Sequence, residues 1–212
     1  MQVQDRNEIE SASAHISHAG SRALFRHWEA LRAERPCPDR TEITFAGLAN
    51  AISNIAILDR NAVGKWQYRL AGGAVCAMLG ENVTGQHVLT QFDSFEAKVI
   101  ERVLNISEER LQPGLMRMRL VDENASVTAA ELLILPVLNK ATGKAQLICG
   151  LFELSRSSIE GPVGKVRVEL FSARLIWTEH VAGMPAHVAN DLNKTVGNFR
   201  LRVIQGGLSA QS

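Results

Sequence analysis

Residues 113–155 read PGLMRMRLVDENASVTAAELLILPVLNKATGKAQLICGLFELS, and this stretch decides the fold. Three apolar runs, Leu115–Asp122, Val127–Asn139 and Ala145–Ser155, are divided by Glu123-Asn124-Ala125-Ser126 and by Lys140–Lys144. Runs this rich in Val, Ile, Leu and Met, joined by such short polar links, predict an antiparallel three-strand meander. Met116 and Met118 alternate with Arg117 and Arg119, which predicts methionines toward the core and arginines toward water.

Upstream, Asp93-Ser-Phe-Glu96 has capping-box spacing and opens a helix whose Phe95, Val99, Val103 and Ile106 form one stripe. Ahead of it, Ala74–Leu79 reads as a small helix closed by Gly80, and Gly85 closes a further turn. Asn54–Asp59 reads as a buried strand and Lys65–Ala71 as its hairpin partner, with Trp66, Tyr68 and Leu70 on one face. Phe45–Ser53 is expected to be a short helix. From about Ser17 an amphipathic helix gathers Leu24, Phe25, Trp28 and Leu31 until Pro36 and Pro38 stop it.

Three segments follow from this reading: a flexible arm over residues 1–16, a domain over 17–155, and a C-terminal extension over 156–212. The extension carries an alternating Val166, Val168, Leu170 and an apolar Leu175-Ile176-Trp177, a pattern that does not declare its class. Short links between consecutive strands predict an α+β domain with helices grouped on one face of an antiparallel sheet.

The composition sets bounds. In 212 residues, 46% hydrophobic and 21% charged, there is material for an ordinary globular core. Lys+Arg 23 against Asp+Glu 22 argues against a broad nucleic-acid or membrane-binding surface. Cys37, Cys76 and Cys149 are too scattered for a disulfide framework or a zinc knuckle, and His15, His18, His180 and His187 have no third ligand. Residues 1–20 have no apolar core of a secretory signal, and the apolar runs are too short to span a bilayer, so a cytoplasmic protein is expected. GxSxG, HExxH, GxGxxG and a complete Walker A are absent, and Gly161–Lys165 holds only a fragment of the last. The expectation is a protein that is not an enzyme.

The order strand, strand, short helices, connecting helix and meander resembles a PAS domain. Five segments carry the likeness: Phe25-Arg-His-Trp28-Glu-Ala-Leu31-Arg32 followed by Pro38-Asp-Arg40-Thr-Glu-Ile43; Tyr68-Arg69-Leu70-Ala71-Gly72; Leu79-Gly80-Glu81-Asn82-Val83-Thr84-Gly85; and Glu131-Leu-Leu-Ile-Leu-Pro136. They resemble the alphaproteobacterial PAS branch long catalogued as a domain of unknown function, over roughly residues 20–155. Asn82 stands where that branch more usually has a charge, and nothing after Ser155 has a counterpart. The resemblance implies a five-stranded antiparallel sheet with short helices on its concave face and a small-molecule pocket between them. It also implies a sensory, dimerising bacterial regulator.

Tyr68, Arg69, Glu81, His87, Met118 and Glu131 are the candidate ligand-binding residues. Glu131 interrupts a very apolar run, and an unpaired carboxylate there would cost several kcal/mol, so it needs a donor. Arg69 with Glu81 and Glu131 reads either as a structural clamp or as a polar ligand contact; alternation alone does not choose the face. His87 lies on the helical side from which haem-binding PAS proteins draw an axial ligand, but it lacks a propionate partner; Cys76 lacks the surroundings of a flavin-reactive thiol. The cofactor is unknown, and no metal site is indicated. Leu24, Phe25, Trp28 and Leu31 are the candidate dimer interface, with packing on the sheet of the same chain as the alternative. The expected function is non-catalytic sensing or regulation through a small ligand, a signalling protein partner, or both, as a homodimer, with helix repacking as the signal. A ligand-free interaction scaffold is the alternative. A small enzyme would need His87 joined to Glu81 or Glu131.

Overall fold

The computed structural model describes residues 14–44, 51–157 and 164–177, and the backbone of 202–205. Its helices are α1 (Ala19–Arg32), α2 (Gly73–Leu79) and α3 (Ser94–Arg110). Its strands are β1 (Ile55–Arg60), β2 (Trp66–Ala71), β3 (Gly114–Val121), β4 (Val127–Asn139), β5 (Lys144–Arg156), β6 (Arg167–Trp177) and β7 (Arg202–Gln205). They form one sheet in the order β2-β1-β5-β4-β3-β6-β7, antiparallel except for the β6/β7 pair. The α+β class and the meander are as expected.

Three expectations need correction. The sheet exceeds five strands, because the extension supplies β6 beside β3, from Arg167 opposite Val121 to Leu175 opposite Gly114, and then β7. Helices lie on both faces: α2 and α3 pack on one, while α1 packs on the other. With both faces covered, the middle strands need no polar side, which is why β4 and β5 read as nearly continuous apolar runs. Finally, Leu70 does not share a face with Trp66 and Tyr68. Leu58 pairs with Tyr68 while Ile57 pairs with Leu70, so Arg69 is an inserted bulge residue and the alternation slips. Trp66 and Tyr68 are buried, whereas Leu70 is 48% exposed. Of the helix expected over Phe45–Ser53, residues 45–50 lie outside the described residues, and 51–54 form a 3-10 turn.

The local chemistry of α1 explains its seat. His18 is the N-cap, with Nδ1 accepting from Gly20 N at 3.0 Å, and the His18 ring stacks on Phe152 at 4.7 Å. The approach is close because Gly20 and Gly150 flank that ring. A Cβ on Gly20 would stand 2.5 Å from Phe152, and one on Gly150 would stand 2.6 Å from it. Further along, Leu24, Phe25 and Trp28 are buried against Leu133, Leu135, Val137 and Ile148.

Trp28 also solves a polar problem. Pro136 sits in β4 beyond the start of β3, whose first residue Gly114 pairs with Ile134. Proline is tolerated there because no strand asks for its missing N–H. Its carbonyl would still be orphaned in the core, and Trp28 Nε1 donates to it at 2.7 Å. Two residues on, Leu138 N donates to Pro38 O at 3.0 Å, so the segment after α1 finishes the same edge. Trp28→Phe keeps an aromatic body but strips this carbonyl of its donor. The expected loss is about 1–3 kcal/mol in urea unfolding, with an unchanged m-value.

Candidate functional site

Between the α2/α3 side of the sheet and its helices lies a cavity of about 30 Å³. Leu58, Tyr68, Gln91, Phe92, Met118 and Leu132 are among its lining residues. The Tyr68 hydroxyl faces Gln91 Oε1 at 3.4 Å, near the limit of a hydrogen bond. Burial is the main cause pushing the Tyr68 phenol and the Cys149 thiol well above their usual pKa ranges, so both stay protonated. Cys37, on the α1 side, is pushed up to about 11 by burial and is likewise a thiol at neutral pH. This volume admits about one water-sized occupant; anything larger must displace side chains.

Across the sheet, Glu131 is fully buried under the start of α1. Its carboxylate accepts from Ser17 N at 2.8 Å and from His18 N at 2.9 Å. Arg117, directly opposite it in the β3/β4 register, brings Nε to 3.7 Å. Arg117 Nη2 also donates to His15 O at 3.0 Å and to Ser17 Oγ. Ile16, between them, is 2% exposed, so the last residues of the expected arm lie on the sheet. His15 Nδ1 stands 3.5 Å from Arg174 Nη1 of β6. These contacts form a latch that holds α1 by the residues just before it.

The structure disperses the sequence-predicted site. Tyr68 and Met118 line the cavity; Arg69, Glu81, His87 and Glu131 do not. The Arg69–Glu81–Glu131 clamp is not assembled. Arg69 is an exposed bulge residue 3.3 Å from Asp59, and Glu81 accepts from Gln86 Nε2 at 3.2 Å. Glu131 takes its donors from backbone amides on the other face. His87 bridges Gln67 and caps a 3-10 turn; its buried Nε2 has no partner, and neither Glu81 nor Glu131 hydrogen-bonds to it. Arg117 does not simply face water, since it reaches the latch. Leu24, Phe25 and Trp28 are at most 2% exposed and Leu31 is half-buried within one chain, so a dimer built on this stripe would require α1 to leave the sheet. Gln91, absent from the predicted set, supplies a polar atom to the cavity wall.

The arrangement of β2-β1-β5-β4-β3 with α2 and α3 over one face is matched by a family model. The PAS domain model covers residues 16–153. The chain belongs to the PAS domain family. No curated protein matches the sequence significantly. The PAS match includes the cavity and both Glu131 and Arg117, and it stops before β6. Among the described residues no helix is long and apolar enough to cross a membrane, and no group of three or more His, Cys, Asp or Glu could hold a metal.

The latch carries its own pH dependence. Burial, then the Arg174 and Arg117 guanidiniums, hold the His15 imidazole below its usual pKa. A histidine with a depressed folded-state pKa favours the docked state above its free-chain value, and that contribution is lost as pH falls through the window below it. Acidification from about pH 8 to 5 is expected to lower the protection factors of the Ile16–His18 amides, after correction for the slower intrinsic exchange at acid pH, ahead of those of β4 and β5. In His15→Asn the acid-specific part should vanish, as read by NMR exchange.

Proposed function

We propose that this PAS chain is a non-catalytic sensory or regulatory protein whose output is the docking of α1, read by a protein partner. One observation carries the proposal. Met118 and Leu132 line the cavity, and their sequence neighbours Arg117 and Glu131 hold the latch. Successive strand residues point to opposite faces of one backbone, so the two features share the same stretches of β3 and β4. Repacking on the cavity side moves the backbone that positions the latch.

The trigger must bind the docked and undocked states with different affinity, otherwise it shifts nothing. A small, mainly apolar ligand fits this requirement. It meets apolar walls with Tyr68 and Gln91 as polar contacts, and it can enter only by displacing side chains from a cavity of about 30 Å³. Undocking would uncover Leu24, Phe25 and Trp28 together with Leu133 and Leu135, an apolar surface suited to a protein partner. The small cavity also supports a second reading, a scaffold that responds to its partner alone.

Met118→Ala and hydrogen exchange on the full chain test the coupling. The truncation should destabilise the fold by about 2–5 kcal/mol. If the faces are coupled, the Ser17 and His18 amides gain roughly tenfold more exchange than those of β5. An equal change throughout would sink the coupling. Native mass spectrometry of gently purified protein then separates the two readings: a retained small molecule selects the ligand sensor, and a bare mass with intact coupling selects the scaffold.

A further inference from the structure

Where β6, which lies beyond the PAS match, faces the start of α3, which lies within it, there is a second cleft of about 740 Å³. Phe92, Asp93, Glu96, Lys165, Glu169 and Phe171 are among its lining residues. The volume falls within the ordinary range of small-molecule sites.

Glu96 is the unusual group. Capping-box spacing predicts that it turns back to the amide of Asp93. Asp93 does cap α3, accepting from Phe95 N at 3.0 Å and Glu96 N at 2.9 Å. Glu96 instead crosses to β6, where Oε1 accepts from Leu170 N at 2.7 Å. It is 8% exposed, and its other oxygen has neither a hydrogen bond nor an ion pair among the described residues. Of the three cations lining the cleft, Arg119 and Arg167 are engaged with Glu169, and Lys165 makes no ion pair among the described residues. Burial, with the Asp93 and Glu169 carboxylates behind it, raises the Glu96 pKa above its usual value against the opposing hydrogen bond from Leu170 N and the weaker pull of Arg167.

Phe171 supplies the apolar half. In the β3/β6 register Arg117 pairs with Ser172 and Met118 with Leu170, so Phe171 is a bulge residue left 72% exposed in the cleft wall. A buried carboxylate with a free oxygen beside exposed aromatic surface suits a charge-assisted hydrogen bond and an apolar contact together.

We propose that this cleft binds a small organic monoammonium compound, its ammonium group on Glu96 and its apolar body against Phe92 and Phe171. Asp93, Glu96 and Glu169 balance Arg119, Lys165 and Arg167 in the lining, so one added positive charge relies on its direct contact with Glu96 and a second would find no carboxylate of its own. A bound cation favours ionised Glu96, so binding releases a proton and tightens with pH until Glu96 is ionised in the free protein. The cleft shares Gln91 and Phe92 with the lining of the smaller cavity, but its proposed ligand contact at Glu96 does not require α1 to undock, and either proposal can fail alone.

The probe is 2-phenylethylammonium chloride, titrated calorimetrically into the full chain at about pH 8, where the amine remains protonated. One-to-one binding with a Kd on the order of 1 mM is expected. Glu96→Gln should weaken it about tenfold or more. Glutamine keeps an acceptor for Leu170 N and removes a buried charge, so its melting temperature at neutral pH should match or exceed that of the parent. Phe171→Ser changes an exposed residue and should also weaken binding. The neutral 2-phenylethanol should bind the parent no better than the ammonium binds Glu96→Gln. The proposal is overturned if the parent shows no saturable binding at millimolar concentrations, if Glu96→Gln binds as well as the parent, or if the alcohol matches the ammonium.

Discussion

A carboxylate in the middle of a buried strand must be given donors, and the placement of the whole N-terminal segment follows from how Glu131 gets them. Unpaired, it would oppose folding by several kcal/mol. The amides of Ser17 and His18 lie at the start of a helix, where backbone donors lack intrahelical partners. Each group therefore removes the other's deficit, and Arg117 faces Glu131 in register to complete the charge balance. At the far end, Trp28 donates to the carbonyl of Pro136. The spans agree: from His18 to Trp28 a helix rises about 15 Å, and from Glu131 to Pro136 a strand runs about 16 Å. The helix thus lies along β4 with a polar bond at each end and apolar contacts between.

This geometry ties the two faces of the sheet together. In an antiparallel sheet with one wet face, a shift on the core side ends in solvent. Here β3 and β4 carry packed side chains on both faces around Leu115, Leu133 and Leu135, so the proposed coupling would run from Met118 and Leu132 through the shared backbone to Arg117 and Glu131. Close-packed interiors switch between discrete arrangements more readily than they deform continuously. The small cavity makes that constraint tight, because little empty volume is available to take up the movement.

The meander was legible because its turns are short. Once 122–126 is read as a hairpin, the pairing of Val121 with Val127 carries through to Arg117 with Glu131, so the latch partner was available from register alone. The donors of Glu131 were not legible, because a backbone amide leaves no mark in a list of side chains and Arg69 was the visible cation. Nor could the stripe of Leu24, Phe25 and Trp28 choose between partner and core, since both require the same apolar periodicity. The Arg69 bulge was hidden for a different reason: alternation describes an unbroken ladder, and one inserted residue moves Leu70 off the expected face. The segment around Val166, Val168 and Leu170 alternated as a strand should, but no short turn joined it to a neighbour that would place it beside β3.

The same competition between local and tertiary hydrogen bonds explains Glu96. Asp93 already satisfies two amides of the first turn of α3, so a return bond from Glu96 would have added only the amide of Asp93 itself. Across the gap, β7 pairs with β6 only over Arg174–Trp177, leaving the outer edge of its first half without a strand among the described residues. The amide of Leu170 on that edge is buried and requires an acceptor. Glu96 meets the larger need, and in doing so carries a carboxylate into a nearly buried position with one oxygen left over. A neutral acceptor would have satisfied Leu170 equally well, so the charge has no structural duty that the edge itself explains. The bulge that exposes Phe171 is equally unneeded for pairing β6 with β3, and both departures border the same cleft.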